Sequence, residues 1–364
     1  MTLTVRPYSE GDEFAINDAF NRIFGCRRSI EEWVWKFSVD GAREATVAAW
    51  DGEDLAAHNG GIPADFEVGG RRVASLQGVD TFSLAALDRR KDWKNAWIDV
   101  MDFFGEVIAP EVEAPLLYGF TGPNSIGHMV KRCRWDAAEP RRIPLLTRTV
   151  DSGGSRTVAS RFYVARPIGD DEPALDQLWE RVRHRYTSAV VRDADHARRR
   201  FSGHPTVQYH RWLLTRRFSR DPVAFVVFRT DGGQCRWADL LWDARHPGAL
   251  DLIQYLSSRL AVETGCRSEA MWLDGDLESR VTVFYMQRDD VQISSSIVRV
   301  RGDGSAEFIE FTGNAAEGAE VGGRLFIVEP EKGDLMGRFL LGGGGSRLSV
   351  YGMDFIPKAM SQKK

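Results

Sequence analysis

Three consecutive cations, Arg89, Arg90 and Lys91, follow a strand-like run that ends at Asp80-Thr81-Phe82, and Lys94 and Asn95 come just after them. Beyond them Trp93, Ala96, Trp97, Val100, Phe104, Val107 and Ile108 recur at three- and four-residue steps, the mark of a helix with one buried face. Free amides at a helix start point outward together with the positive end of the helix dipole. A strand, a basic loop and a helix start in that order make a cradle for an anion, and a cofactor pyrophosphate suits that geometry. The competing reading is a solvated surface loop in which Asp88 and Asp92 offset the cations.

The elements that must position this loop are legible on both sides of it. Residues 2–6 read as an edge strand, and Ser9, Glu10, Gly11 and Asp12 supply turn and capping chemistry ahead of a helix carrying Phe14, Ile16, Ala19, Phe20 and Ile23. A second helix is expected up to Phe37, with Ser29 and Glu32 at capping-box spacing and Trp33 and Phe37 on one face. Residues 46–50, 55–62 and 71–82 read as three antiparallel strands, parted by Asp51-Gly52 and Gly69-Gly70. After the central helix, 115–120 is a short buried strand, and 121–124 breaks it before a helix ending at Arg134-Trp135. Residues 144–150 are expected to supply a closing strand, and 151–155 a flexible polar joint.

From there the pattern begins again. Arg166-Pro167 echoes Arg6-Pro7, and residues 192–201 share the Arg-to-Phe spacing of residues 28–37. A second meander is expected at 209–215, 224–230 and 235–242, with Trp237-Ala238-Asp239-Leu240 where Gly78-Val79-Asp80-Thr81 stood. A helix at 247–265 and a strand at 270–273 complete the second copy. The expected class is therefore α/β with mixed sheets, as two related units over 1–150 and 151–300 and a Gly-rich, strand-forming extension over 301–364. The second copy carries Asp243 to Ala249 in place of the basic loop.

Strand, two helices, meander and helix is also the order found in GCN5-related N-acetyltransferases. Residues 79–104 resemble that family's cofactor motif, in which a strand runs into Arg/Gln-x-x-Gly-x-Gly/Ala and a helix. Arg89, Arg90 and Lys91 overlay its basic part, while Asp92 and Lys94 stand where glycines are expected, so Asp92 brings bulk and negative charge beside a polyanion. The next family motif, an Asn near a helix start followed by Gly-Phe, is matched in part by Asn124 and Arg134-Trp135. Val130 falls where many members carry a tyrosine proposed as general acid. The resemblance, to a tandem member, covers roughly the first five-sixths of the chain.

That resemblance implies transfer of an acyl group from acetyl-CoA or another acyl-CoA to a primary amine on a small-molecule acceptor. Arg89, Arg90, Lys91, Lys94 and Asn95 would meet the cofactor phosphates, with Phe82 and Asn124 also at the cofactor, and the cleft between the repeats would hold acceptor. In this fold two central strands splay apart and the acyl-pantetheine arm lies between them, its thioester carbonyl near a strand amide. Direct transfer needs a deprotonated amine, a donor for the oxyanion and an acid for the leaving thiolate. Asp80 is the candidate base and Tyr118 the candidate acid, with His58 and His128 as candidate proton relays. Their structural alternatives are a strand-end carboxylate satisfied by amides, a buried tyrosine bonded to a carbonyl, and hydrogen-bonded histidines. If Asp92 defeats coenzyme A, an acyl-carrier protein is the alternative donor. Two further readings are a catalytically inactive tandem fold kept as a ligand-binding or scaffold protein, and aminoacyl transfer from charged RNA, as in peptidoglycan-bridge enzymes of this architecture.

The totals narrow the field. With 364 residues, 43% of them hydrophobic, and eleven tryptophans, the chain can fill two cores. A net charge of -4 gives no general affinity for nucleic acid, and Arg198, Arg199 and Arg200 point in different directions on a helix. Cys26, Cys133, Cys235 and Cys266 lack paired spacing, so neither a disulfide framework nor a metal site is expected. No signal core or membrane-length apolar run is present, and a cytoplasmic protein is the expectation. Oligomeric state is left open.

Overall fold

The fold is that of a computed structural model, which describes residues 3–68, 71–112, 154–185, 188–243 and 245–272, with the short pieces 116–119, 132, 136–137, 141–143, 145–150, 281–282, 297–300, 306–308 and 321–327. Strand β1 (Thr4–Pro7) leads through α1 (Asp12–Phe24) and α2 (Ile30–Lys36) into a meander of β2 (Val47–Asp51), β3 (Asp54–Val68) and β4 (Arg71–Ser83). Gly25 ends α1 at φ 62, and a complete capping box of Ser29 and Glu32 starts α2. Helix α3 (Ala96–Phe103) follows and runs on through a π-helical turn at Phe104–Ile108, and β5 (Leu116–Gly119) then pairs parallel with β4.

The expected apolar stripe is real, with Trp93, Ala96, Val100, Phe104 and Ile108 all buried against the first core. Its helix nevertheless starts at Ala96, because residues Lys91–Trp93 form a 3-10 turn in which the Trp93 indole donates to Asp51 at 3.2 Å. Local hydrogen bonding sets the boundary that periodicity leaves open.

The second unit repeats the plan. Strand β6 (Leu145–Thr149) precedes it, followed by β7 (Tyr163–Pro167), α4 (Ala174–Val182), β8 (Ser188–Val190), α5 (Ala194–Phe201), the meander β9 (Tyr209–Arg216), β10 (Pro222–Asp231) and β11 (Gln234–Trp242), then α6 (Pro247–Glu263) and β12 (Ser268–Trp272). The first sheet runs β1-β2-β3-β4-β5 and the second β7-β9-β10-β11-β12. In each the first three pairings are antiparallel and the fourth parallel.

Two strands bind the units together. Of residues 144–150, expected to close the first copy, Leu145–Thr149 form a strand, but this β6 pairs antiparallel with β12 and closes the second sheet. In the other direction β8 adds antiparallel to β3, matching Val190 with Phe66. Each exchange covers a strand edge that would otherwise present unpaired amides and carbonyls. Further on, the strand Val321–Ile327 lies antiparallel to β5. Among the described residues no helix is long and apolar enough to cross a membrane.

Gly60 and Gly61 let both helical layers close on β3. A methyl on Gly60 would stand 2.6 Å from the Phe37 ring, and one on Gly61 would meet the Ala45 carbonyl oxygen at 2.7 Å and Phe104 at 2.9 Å. Backbone oxygen cannot give way as a side chain does. Gly61→Ala is therefore expected to lower stability by about 2 kcal/mol through overpacking, read as a fall in the urea midpoint at unchanged m-value.

Candidate functional site

The centre of the first sheet is broken by a bulge. Between the pairs His58 with Phe82 and Gly60 with Val79, the two residues Asp80 and Thr81 of β4 oppose the single Asn59 of β3. Asp80 takes φ 51 there, a left-handed conformation that Asp tolerates better than most residues. The parallel ladder between β4 and β5 ends at Gly78 and Gly119. The bulge thus sits where β4 leaves its partner, and beyond Gly78 the β5-facing edge of β4 carries no strand among the described residues.

Asp80 is held from three directions. Its carboxylate accepts from Arg28 Nη1 at 2.5 Å and from Lys36 Nζ at 2.6 Å, and its carbonyl accepts from His58 Nδ1 at 2.8 Å. Burial alone would raise the Asp80 carboxyl, but Arg28 and Lys36 outweigh it and hold the group far below the usual carboxylate range. Burial pushes the Lys36 ammonium down to about 8 against the opposing pull of Asp80. Arg28 is itself fixed, with Nε on Asn17 at 2.6 Å and its guanidinium 3.7 Å from the Phe20 ring centroid. A carboxylate so occupied is a poor proton acceptor at neutral pH and a strong brace for the bulge.

His58 has a defined tautomer. A carbonyl only accepts, so Nδ1 carries the proton and Nε2 the lone pair. The ring is fully buried, stacked 5.2 Å from Phe82, and burial pushes it down to about 4, so it is neutral. The Phe82 side chain lies in the core between His58 and Phe24. Tyr118 stands on β5 opposite Gln77. Asn124, His128 and Val130 lie outside the described residues.

In the basic loop the cations divide into two groups. Arg90 is bound to Asp51 and Asp92 and lies over the Trp93 ring, 4.2 Å from its centroid. Asp88 pairs with Arg22 of α1. Arg89, at φ 55, and Lys91 and Lys94 are exposed beside Asn95, and the three make no ion pair among the described residues. The amides of Asp88, Arg90, Trp93 and Lys94 are taken up within the loop, while no described group accepts from the first-turn amides Ala96 and Trp97. The Asp92 that stands where the resemblance wants glycine is therefore part of the clamp on Arg90.

The second unit repeats the brace and closes the cradle. Ala238 is the extra residue of a bulge between the pairs Val227 with Asp239 and Phe228 with Trp237, and the parallel ladder ends at Trp237 with Met271. Asp239 accepts from Arg192 Nε at 2.8 Å and lies 3.5 Å from His196 Nε2. Burial would raise its carboxyl, but Arg192 wins and holds it at about 2. At the start of α6 the chain's own segment fills the space, since a methyl on Gly248 would stand 2.9 Å from the Ala159 carbonyl oxygen, and Thr157 donates to Asp251 at 2.6 Å. Arg245 folds back onto Asp243. Arg28 and Lys36 were not among the expected site residues, although the repeat of 28–37 in 192–201 marked both ends of the stretch that carries them.

No family model matches the sequence, and no curated protein matches it. Solved structures do. A GCN5-related N-acetyltransferase from Anabaena variabilis superposes with a TM-score of 0.59 at 11% identity, over 90% of this chain and 73% of its own. One from Kribbella flavida gives 0.55 at 16% identity, over 75% and 64%. The N-myristoyltransferase of Saccharomyces cerevisiae with bound myristoyl-CoA gives 0.51 at 10% identity, over 74% and 76%. At these identities the likeness is one of fold, and the chain has the GCN5-related N-acetyltransferase fold.

Two outcomes follow from the bulge. Asp80→Asn keeps a residue that tolerates the left-handed backbone but strands Arg28 and Lys36 without their carboxylate, so unfolding free energy should drop by about 3 kcal/mol, measured in urea at pH 7. For His58 the folded pKa lies below the unfolded one, so from pH 6.5 down toward 4 the unfolded chain binds more protons and stability falls with pH. Between pH 7 and 5 this group should contribute a loss of about 2 kcal/mol. His58→Asn, whose amide nitrogen can replace Nδ1 on the Asp80 carbonyl, should remove that part of the slope.

Proposed function

We propose that the chain is an acyltransferase, moving an acyl group from acyl-CoA to a primary amine of a small molecule by direct attack, without a covalent enzyme intermediate. The observation that supports this reading is the pairing, among the described residues, of a β4 edge left uncovered beyond Gly78 with a basic helix start whose cations and first-turn amides are presented, a pairing not seen among the described residues of the second unit. Arg89, Lys91 and Lys94 with the amides of Ala96 and Trp97 hold the donor phosphates. The edge of β4 beyond Gly78 receives the pantetheine arm as an added strand would be received, and the bulge brings the thioester to the backbone around Asp80 and Thr81. Arg90 and Asp92 shape the loop, and Asp80 holds the bulge. Tyr118 is the candidate acid. The working compartment in this reading is the cytoplasm, and an acyl-carrier protein is the alternative donor.

A second reading has its own observation. Both titratable groups at the bulge, Asp80 and His58, are buried and engaged, which favours a ligand-binding protein that holds a thioester without turning it over. Calorimetry with coenzyme A, acetyl-CoA and longer acyl-CoA, followed by a thiol-release assay across an amine panel, separates the two. The triple variant Arg89→Ala/Lys91→Ala/Lys94→Ala should weaken coenzyme A binding at least tenfold, about 1.4 kcal/mol or more, with the melting temperature unchanged. Binding without thiol release for any amine supports the second reading, and no binding of any thioester overturns both.

A further inference from the structure

The hairpin that joins β9 to β10 ends in a closed turn over residues 216–221. The Arg216 amide donates to the Asp221 carbonyl and the Arg220 amide to the Arg216 carbonyl, both at 3.0 Å, with Arg220 in a left-handed conformation at φ 59. On this turn stands Phe218, 85% exposed, the most exposed large apolar side chain among the described residues. The start of β7 lies alongside, because the Arg217 amide donates to the Phe162 carbonyl and its Nε to the Arg161 carbonyl, both at 2.9 Å. Phe162 is 58% exposed, and Val164, two residues further on, is 42% exposed. A hydrogen-bonded frame therefore holds these three apolar side chains out to solvent.

The same turn is basic. Arg216, Arg217 and Arg220 are all exposed, and none makes an ion pair among the described residues. Asp221, the acidic residue of the turn, is taken by the Ser219 hydroxyl. The chain as a whole carries a net charge of -4, so the positive charge here is a local property of one surface. Exposed apolar side chains grouped on a surface and rimmed by polar ones mark a place where something docks. Phenylalanines flanked by guanidinium groups match a partner that is apolar inside and anionic at its boundary. A bilayer with anionic headgroups has that order of layers: the aromatic rings enter the boundary with the acyl chains while the arginines stay among the phosphates. A projecting turn also suits a surface that yields around it, whereas a folded partner would need a pocket already shaped to receive Phe218.

We infer that the turn between β9 and β10, with Phe162 and Val164 beside it, docks this chain peripherally on an anionic lipid surface. Three apolar side chains and three arginines give reversible attachment, strongest at low salt. The docking surface belongs to the second unit and uses none of the residues assigned to acyl transfer, so either assignment can fail without the other.

The test is sedimentation of the full chain with vesicles of phosphatidylcholine containing about 30% phosphatidylserine, against vesicles of phosphatidylcholine alone. Binding to the anionic vesicles should be about tenfold tighter or more, and should weaken as salt rises from about 0.1 M to about 0.5 M. Phe218→Ser should weaken it about fivefold or more at an unchanged melting temperature, and Arg216→Gln/Arg220→Gln should flatten the salt dependence. Phe14→Ser removes a phenylalanine that is 64% exposed on α1 of the first unit and should leave binding unchanged. Equal binding to both kinds of vesicle, no binding to either, or the same loss in Phe14→Ser as in Phe218→Ser would overturn the assignment. A dimer in solution that Phe218→Ser dissolves would overturn it in favour of a second copy of the chain. Binding to polyglutamate in place of vesicles would overturn it in favour of an acidic polypeptide.

Discussion

A single buried carboxylate at a strand bulge organises each half of this protein. Asp80 sits in a left-handed backbone conformation at the point where β4 leaves β5, and Arg28, just ahead of the Ser29 cap, and Lys36, the last residue of α2, fix it to that helix. Without those two ion pairs the bulge would be a strained kink beside a sheet edge that no described strand covers. With them, the helix layer and the sheet are tied together at the place where a donor's arm would have to lie. The energetic cost is the desolvation of three charges, and it is offset only while all three are present.

The same device appears at Asp239, which is held by Arg192 ahead of α5. Both units hold such a brace, yet the sites beside it differ. In the first unit the helix start after the bulge presents Arg89, Lys91 and Lys94 to solvent, while in the second the equivalent start is packed against Ala159, Thr157 is bonded to Asp251, and Arg245 is turned onto Asp243. Preserving a buried ion pair while closing the neighbouring cradle is what one expects if the pair is required for folding and the cradle for binding. The exchange of β6 and β8 between sheets then makes the units hard to separate, because each half would bare a strand edge on leaving the other.

Much of this was legible in the residues. The two meanders, the Ser29 and Glu32 capping box, the stripe from Trp93 to Ile108 and the echo of residues 28–37 in 192–201 all rest on local chemistry or short periodicity, and all are present. Long-range choices were not legible. Residues 145–149 read as a strand from their composition, but nothing local says which of two similar sheets they will join. Likewise Asp80 reads as a candidate base from its place at the end of a strand before the basic loop, with a structural carboxylate as the alternative, and the partners that occupy it lie 52 and 44 residues away along the chain. Arg90 and Asp92 read as phosphate donor and intruder, whereas their mutual ion pair together with Asp51 makes them one structural unit.

This division of labour bears on how such a site would work. When the acidic side chains at the bulge are committed to structure, proton transfer must fall to groups with a lone pair or proton still on offer, and stabilisation of a developing oxyanion falls to the backbone. A bulge serves that end, since the residue it adds drops out of the ladder and leaves its backbone groups unpaired across the sheet. Electrostatic preorganisation of this kind asks little of any one side chain's pKa and much of the rigidity of the frame. In the proposed transfer the buried Arg-Asp-Lys brace would supply that rigidity without touching the reacting atoms.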